Sequence, residues 1–192
     1  VVYPMLKQTP EDRLPQVYST IRTMLMISVL GLLIVYYPAK VILSGWLPQY
    51  AESLRYMALL FPMCVYESKV SLLINTYLKA LRKEKAMMYI NWIIVGISCV
   101  FTGITVYVLD NLTLSIVALT VILALRCTIA ELYLSKVLKI SVMKSLIMEN
   151  MLTIIFIVSS WMIQSWVCVA IYALAYGVYL LYYKDSLKEF AS

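Results

Sequence analysis

Ionisable side chains stand near the middle of two otherwise apolar stretches of this chain, Glu67 and Lys69 in one and Arg126 in another, with Glu131 closer to that second stretch's end. A charged group near the centre of a bilayer costs roughly 2.5–3.5 kcal/mol on insertion scales, so such residues are functional candidates by default. The chemistry they offer is binding and coupling. Arg126 and Lys69 are cation partners for a polar or anionic cargo in a hydrated pathway, with Asn75 and Asn91 as neutral cavity residues. Glu67 and Glu131 are carboxylates for H+ or Na+ coupling, or for holding those cations in place. A competing reading is structural: Glu67 or Glu131 pairs with Arg126 only to hold a bundle together, and small polar residues glue its helices. An enzyme at the membrane surface is a third reading, with little to support it. The chain has no histidine, so the commonest general base and the commonest metal ligand are both missing. Neither a nucleophile arrangement nor a paired-carboxylate metal motif can be read, and no catalytic residue, metal or cofactor is expected. Cys64, Cys99, Cys127 and Cys168 lie in apolar segments with no Cys-x-x-Cys spacing and read as small buried fillers.

The elements that carry these residues are membrane helices. Of 192 residues 63% are hydrophobic and 14% charged, against about 25% charged in soluble domains. With a mean hydropathy of +0.87, lipid must be the solvent for most of the surface. Six apolar runs are near the span length of about 20 residues: 23–43, 56–78, 87–109, 112–134, 146–163 and 166–183. The expected fold is therefore an all-α membrane protein with six transmembrane helices. Residues 1–22 form a cytoplasmic loop and helix lead-in, 23–139 four helices, and 140–192 a two-helix extension. Thr9-Pro10-Glu11-Asp12 supplies a helix start. Leu14, Val17 and Ile21 then recur at helical spacing, as a lead-in to the first span or an amphipathic surface helix.

The net charge of +6 is topological, with no nucleic acid implied, because the cations sit between apolar runs. Twelve of the sixteen flank one side, at Lys7, Arg13, Arg22, the Lys79–Lys85 loop, Lys136, Lys139, Lys144, Lys184 and Lys188. The other side has Lys40 and Arg55, then Asp110 and Asn111, then Gln164 and Ser165. The positive-inside rule places both termini in the cytoplasm. Aromatic residues are placed to match, Tyr36, Trp46, Tyr50, Trp161 and Trp166 at one interface and Tyr89, Trp92, Tyr133, Tyr182 and Tyr183 at the other. Val1 is not followed by a basic n-region and short apolar core, so no signal peptide is expected and the chain reads as a piece of a longer protein.

Counting about 1.5 Å per residue puts Lys69 and Arg126 at similar depth, where two cations can face one cavity. Glu67 and Lys69 are about 200° apart around a helix, so that helix must meet protein or water on two sides. Glu67, Ser71 and Asn75 follow at four-residue steps, and Asn91, Ser98, Thr102 and Thr105 form a second polar stripe. Pro62 removes a backbone hydrogen bond just before Glu67 and is the expected hinge. Tyr172, Tyr176, Tyr179 and Tyr183 form a stripe that reads as packing rather than a sugar platform.

Thr76-Tyr77-Leu78-Lys79-Ala80-Leu81-Arg82-Lys83-Glu84-Lys85 followed by Asn91 resembles the cytoplasmic signature of bacterial polysaccharide flippases of the Wzx type, in the multidrug/oligosaccharidyl-lipid/polysaccharide exporter superfamily. Tyr3-Pro4-Met5-Leu6-Lys7, Trp46-Leu47-Pro48-Gln49-Tyr50, and Arg126 with Glu131-Leu132-Tyr133 resemble three further elements of that family, in the same order. The resemblance covers roughly residues 1–140; the last two spans follow by hydropathy alone. It implies two pseudo-symmetric six-helix bundles with two added C-terminal helices, of which this chain would hold the last four helices of the second bundle and the added pair. The first bundle and the start of the second would be missing, and would be a partner from the same protein. The implied function is carrying undecaprenyl-diphosphate-linked oligosaccharide to the outer leaflet of the bacterial cytoplasmic membrane by alternating access. Lipid-linked oligosaccharide and membrane lipid are then its partners, and Arg126 and Lys69 could meet the diphosphate or an acidic sugar. The alternatives are a structural multi-span subunit and a drug/cation antiporter of the same superfamily. The basic loop favours the flippase over the antiporter.

Overall fold

A computed structural model describes residues 13–108, 112–162 and 167–183. Tyr3–Lys7, the Thr9–Asp12 helix start, Asp110, Asn111, Gln164, Ser165, Trp166, Lys184 and Lys188 lie outside the described residues. The elements are α1 (Leu14–Leu32), a 3-10 turn (Leu33–Val35), α2 (Tyr36–Trp46), α3 (Ala51–Ser68), a π-helical segment (Lys69–Ile74), α4 (Asn75–Ala80), α5 (Glu84–Gly103), a second π segment (Ile104–Val108), α6 (Leu112–Leu138), α7 (Met143–Met162) and α8 (Val167–Tyr182). A 3-10 turn at Pro48–Tyr50 joins α2 to α3. The described residues contain helix and no strand. Inside hydrocarbon a helix is the structure that satisfies its own backbone without an edge to close.

Five of these rods are long and apolar enough to cross a membrane: Leu14–Trp46, Tyr56–Ala80, Glu84–Tyr107, Thr113–Leu138 and Met143–Met162. This is a membrane-embedded all-α chain. The sixth expected span is apolar helix over 16 residues, or about 24 Å at 1.5 Å per residue, against a hydrocarbon core of about 30 Å. The lead-in from Leu14 runs as continuous helix into the first apolar run.

Two of the connections end their helices in the same way. Arg82 (φ 55°) and Lys139 (φ 54°) take the left-handed conformation. Beyond them Lys83 N–H donates to the Leu78 carbonyl at 2.8 Å and Ile140 N–H to the Ser135 carbonyl at 3.0 Å. Arg82 N–H and Lys139 N–H donate to the Lys79 and Lys136 carbonyls, completing the paired bonds of a Schellman cap. A cation stands where glycine is usual, at the helix end whose dipole favours positive charge.

The chain divides into two compact units that take non-contiguous stretches. The first comprises the described residues of 1–18 with Met63–Met143, the second Ser19–Pro62 with the described residues beyond 143. The division passes through α1 after Tyr18 and through α3 at Pro62, because each of these helices gives one end to each unit. In the first unit Tyr18 packs edge-on against Tyr77 with ring centroids 5.1 Å apart, over a buried floor of Val70, Leu73, Ile74, Leu78 and Leu134. In the second unit, Tyr36 and Phe156 anchor a chain of edge-on aromatic contacts that takes in Tyr37, Phe61 and Tyr172. Each such pair is worth about 0.5–1.5 kcal/mol beyond the area it buries.

Two expectations need correction. Tyr36 is a core residue at 1% exposure and Tyr183 is also buried, so neither is an interfacial anchor, whereas Trp46, Tyr89, Trp92 and Tyr182 are exposed. Cys64 and Cys99 are exposed; only Cys127 and Cys168 are the buried fillers expected of all four.

Candidate functional site

Within the first unit α3, the π segment that continues it and α6 bring Glu67, Lys69, Arg126 and Glu131 together as two ion pairs. Arg126 Nη1 donates to Glu67 Oε2 at 3.1 Å, and Arg126 Nε donates to Asn91 Oδ1 on α5, also at 3.1 Å. Lys69 pairs with Glu131. The sequence spacing explains the separation: two residues on one helix and five on the other turn the charges to different sides of each rod, about 200° and 140° apart. Each helix therefore contributes one charge to each pair, with the signs reversed.

The two pairs differ in surroundings. Lys69 and Glu131 side chains are 4% and 0% exposed, at the start of the π segment. The Arg126 and Glu67 side chains are 19% and 52% exposed. A closed pair recovers its desolvation penalty only through good geometry and acts as a fixed joint, because removing one partner strands a charge. An open pair can exchange partners.

Arg126 and Asn91 stand at one end of a groove of about 270 Å³ between α5 and α6. Ile94, Val95, Leu119, Ile122 and Leu123 make the groove walls apolar, and Ser98 adds a hydroxyl toward the other end. Thr105, the last member of that polar stripe, lies in the second π segment and serves the fold. Thr105 donates to the Phe101 and Thr102 carbonyls and accepts from Ser115 at 3.0 Å. Such back-bonding is how hydroxyls are satisfied away from water.

Lys69 and Asn75 do not line this groove. Lys69 is turned to Glu131, so the two cations expected to share a cavity do not share this one. Asn75 is half-buried, just past the π segment. Pro62 lies inside α3.

A third pair was not foreseen from the sequence. In the second unit Arg22 Nη1 lies 2.8 Å from Glu149 Oε1, with both side chains at or below 5% exposure. The signal was available in Glu149, an acid inside the fifth apolar run. Beside this pair's elements, Tyr172 and Tyr176 hydroxyls donate at 2.8 Å to the Leu30 and Ile27 carbonyls of α1. The Tyr176 hydroxyl occupies the space a side chain at Gly31 would need, 2.9 Å from where its Cβ would lie. Among the described residues no three His, Cys, Asp or Glu side chains converge to hold a metal ion. The chain matches no protein-family model, no curated protein and no solved structure.

Proposed function

We propose that this chain is part of a flippase that carries an undecaprenyl-diphosphate-linked oligosaccharide, an O-antigen, capsule or exopolysaccharide unit, across the bacterial cytoplasmic membrane by alternating access. The supporting observation is the open Glu67–Arg126–Asn91 cluster near mid-span, beside a groove. A guanidinium at that depth that is not sealed in the core needs water or a polar ligand beside it. Arg126 is the residue that meets the diphosphate, since its planar fork can give two parallel hydrogen bonds to phosphate oxygens. Asn91 fixes the guanidinium through Nε, so that once Glu67 releases Nη1 both terminal nitrogens can face a ligand. Glu67 holds Arg126 when no cargo is present, and a proton or sodium ion on Glu67 frees the arginine. Lys69 with Glu131, and Arg22 with Glu149, are joints of the bundle. The excess of Lys and Arg in the 79–85 and 136–144 loops supports a cytoplasmic position for those loops and both termini, and Pro62 serves as the hinge of α3.

Complementation of surface polysaccharide in a flippase-null strain, with protein abundance measured beside it, tests this reading. Arg126→Lys is expected to lose much of the export and Arg126→Ala nearly all, at normal abundance. Normal export by Arg126→Ala at normal abundance would exclude Arg126 as the substrate residue.

A further inference from the structure

We propose that the two cation-capped turns of the first unit, 79–85 and 136–140, hold the head of a resident anionic diacyl phospholipid whose chains lie along the open side of α5. Such a site needs neither a transported cargo nor a particular leaflet. The two turns share a level. Glu67 pairs with Arg126 and Lys69 with Glu131, in the same order along both rods, so the rods run parallel. Arg82 comes fifteen residues after Glu67 and Lys139 thirteen after Arg126, each about 20 Å beyond that pair. Lys79, Arg82, Lys83 and Lys85 at one turn and Lys136 and Lys139 at the other are all exposed, and Glu84 is the one acid in either turn.

Helix polarity does not account for these cations. The last turns of α4 and α6 already hold Lys79 and Lys136, which serve the dipole. Arg82 and Lys139 nonetheless occupy left-handed positions that glycine fills at no steric cost. Strain kept at a charged surface position points to a ligand for the charge, and like charges crowded in two neighbouring turns repel until an anion meets them. The chemistry of that anion follows from α5. Met88, Tyr89 and Trp92 are exposed three, four and seven residues past Lys85, on one side of the helix, and only 6% of the α5 apolar stretch is buried. A soluble anion would use the cations and leave this side bare. A phospholipid sets its phosphate at the cations and its glycerol and upper chains against Tyr89 and Trp92, at the depth such rings favour. The head is anionic rather than zwitterionic, because ethanolamine would bring an ammonium to a surface already positive.

The test is native mass spectrometry of the purified chain, with phosphatidylglycerol or phosphatidylethanolamine titrated into lipid-free detergent micelles. Phosphatidylglycerol is expected to bind about tenfold more tightly and to raise the thermal midpoint, as a ligand of the folded state does. Arg82→Gly with Lys139→Gly keeps both left-handed turns, so the midpoint in lipid-free detergent should not fall. Its phosphatidylglycerol binding should weaken about 25-fold, at roughly fivefold per surface cation. Should that midpoint fall, Lys83→Gln with Lys85→Gln, at exposed positions, is expected to give the same loss of binding. Tyr89→Ala with Trp92→Ala should weaken binding severalfold, and Lys40→Gln, which removes a cation from the second unit, should leave it unchanged. Equal binding of the two lipids, wild-type binding by a folded double variant of the turns, or an equal loss in Lys40→Gln overturns the site. Wild-type binding by the aromatic variant, or displacement of phosphatidylglycerol by equimolar inorganic phosphate or a short oligonucleotide, overturns a phospholipid as its occupant.

Discussion

Arg126 and Lys69 differ in company, and that difference decides what each can do. Lys69 is closed against Glu131, as Arg22 is against Glu149, and cutting one partner from such a pair costs about 3–5 kcal/mol. Lys69→Ala, Glu131→Ala, Arg22→Ala and Glu149→Ala are each expected to lower membrane abundance severalfold. Lys69→Met with Glu131→Leu should recover most of the loss, because apolar residues of similar volume replace a closed pair at little cost. Glu67→Gln, at an open position, should leave abundance unchanged; quantitative immunoblots of membrane fractions separate these outcomes. Glu67, Lys69, Arg126 and Glu131 were legible in the sequence because hydrocarbon makes each of them conspicuous. Their pairing was not, since partner choice depends on the rotation of helices that no local pattern fixes. The Arg22–Glu149 pair is likewise illegible, since Arg22 reads as a flanking cation and its partner stands on a distant helix.

At the scale of elements, the five long helices follow from apolar length alone, and their ends fall within a few residues of the apolar runs except where polar lead-ins extend the helix, as at Leu14 and Leu138. The π segments at Lys69–Ile74 and Ile104–Val108 left no such trace, because one residue added to a turn changes neither composition nor hydropathy. The left-handed caps give a prediction of their own. An L-residue there costs about 1–2 kcal/mol relative to a right-handed turn, a penalty glycine avoids. Lys139→Gly should therefore stabilise the chain by up to about 1 kcal/mol, after the loss of the dipole interaction of about 0.3–1 kcal/mol. A thermal midpoint in detergent that rises by about 2–4 °C would match the upper end of that gain. In the second unit Tyr172→Phe removes a bond to the Leu30 carbonyl and should lower the midpoint by an amount matching about 1 kcal/mol.

For the molecule as a whole, the charge pattern makes a claim about orientation that labelling can check. In a background lacking Cys64, Cys99, Cys127 and Cys168, Pro48→Cys should react with an impermeant maleimide added outside the cell. Lys83→Cys and Lys139→Cys should react only after the membrane is opened; the reverse pattern would invert the topology. The central claim is that the Glu67–Arg126 pair exists for cargo and the other two pairs for the bundle. A double-mutant cycle on Glu67 and Arg126, read for abundance and for polysaccharide export in the same cells, tests it most directly. The account predicts near-normal abundance in Glu67→Ala, Arg126→Ala and the double variant, with export lost whenever Arg126 is absent. Low abundance in Arg126→Ala that the double variant repairs, with export returning alongside it, would contradict the account and make this pair a structural joint like the others.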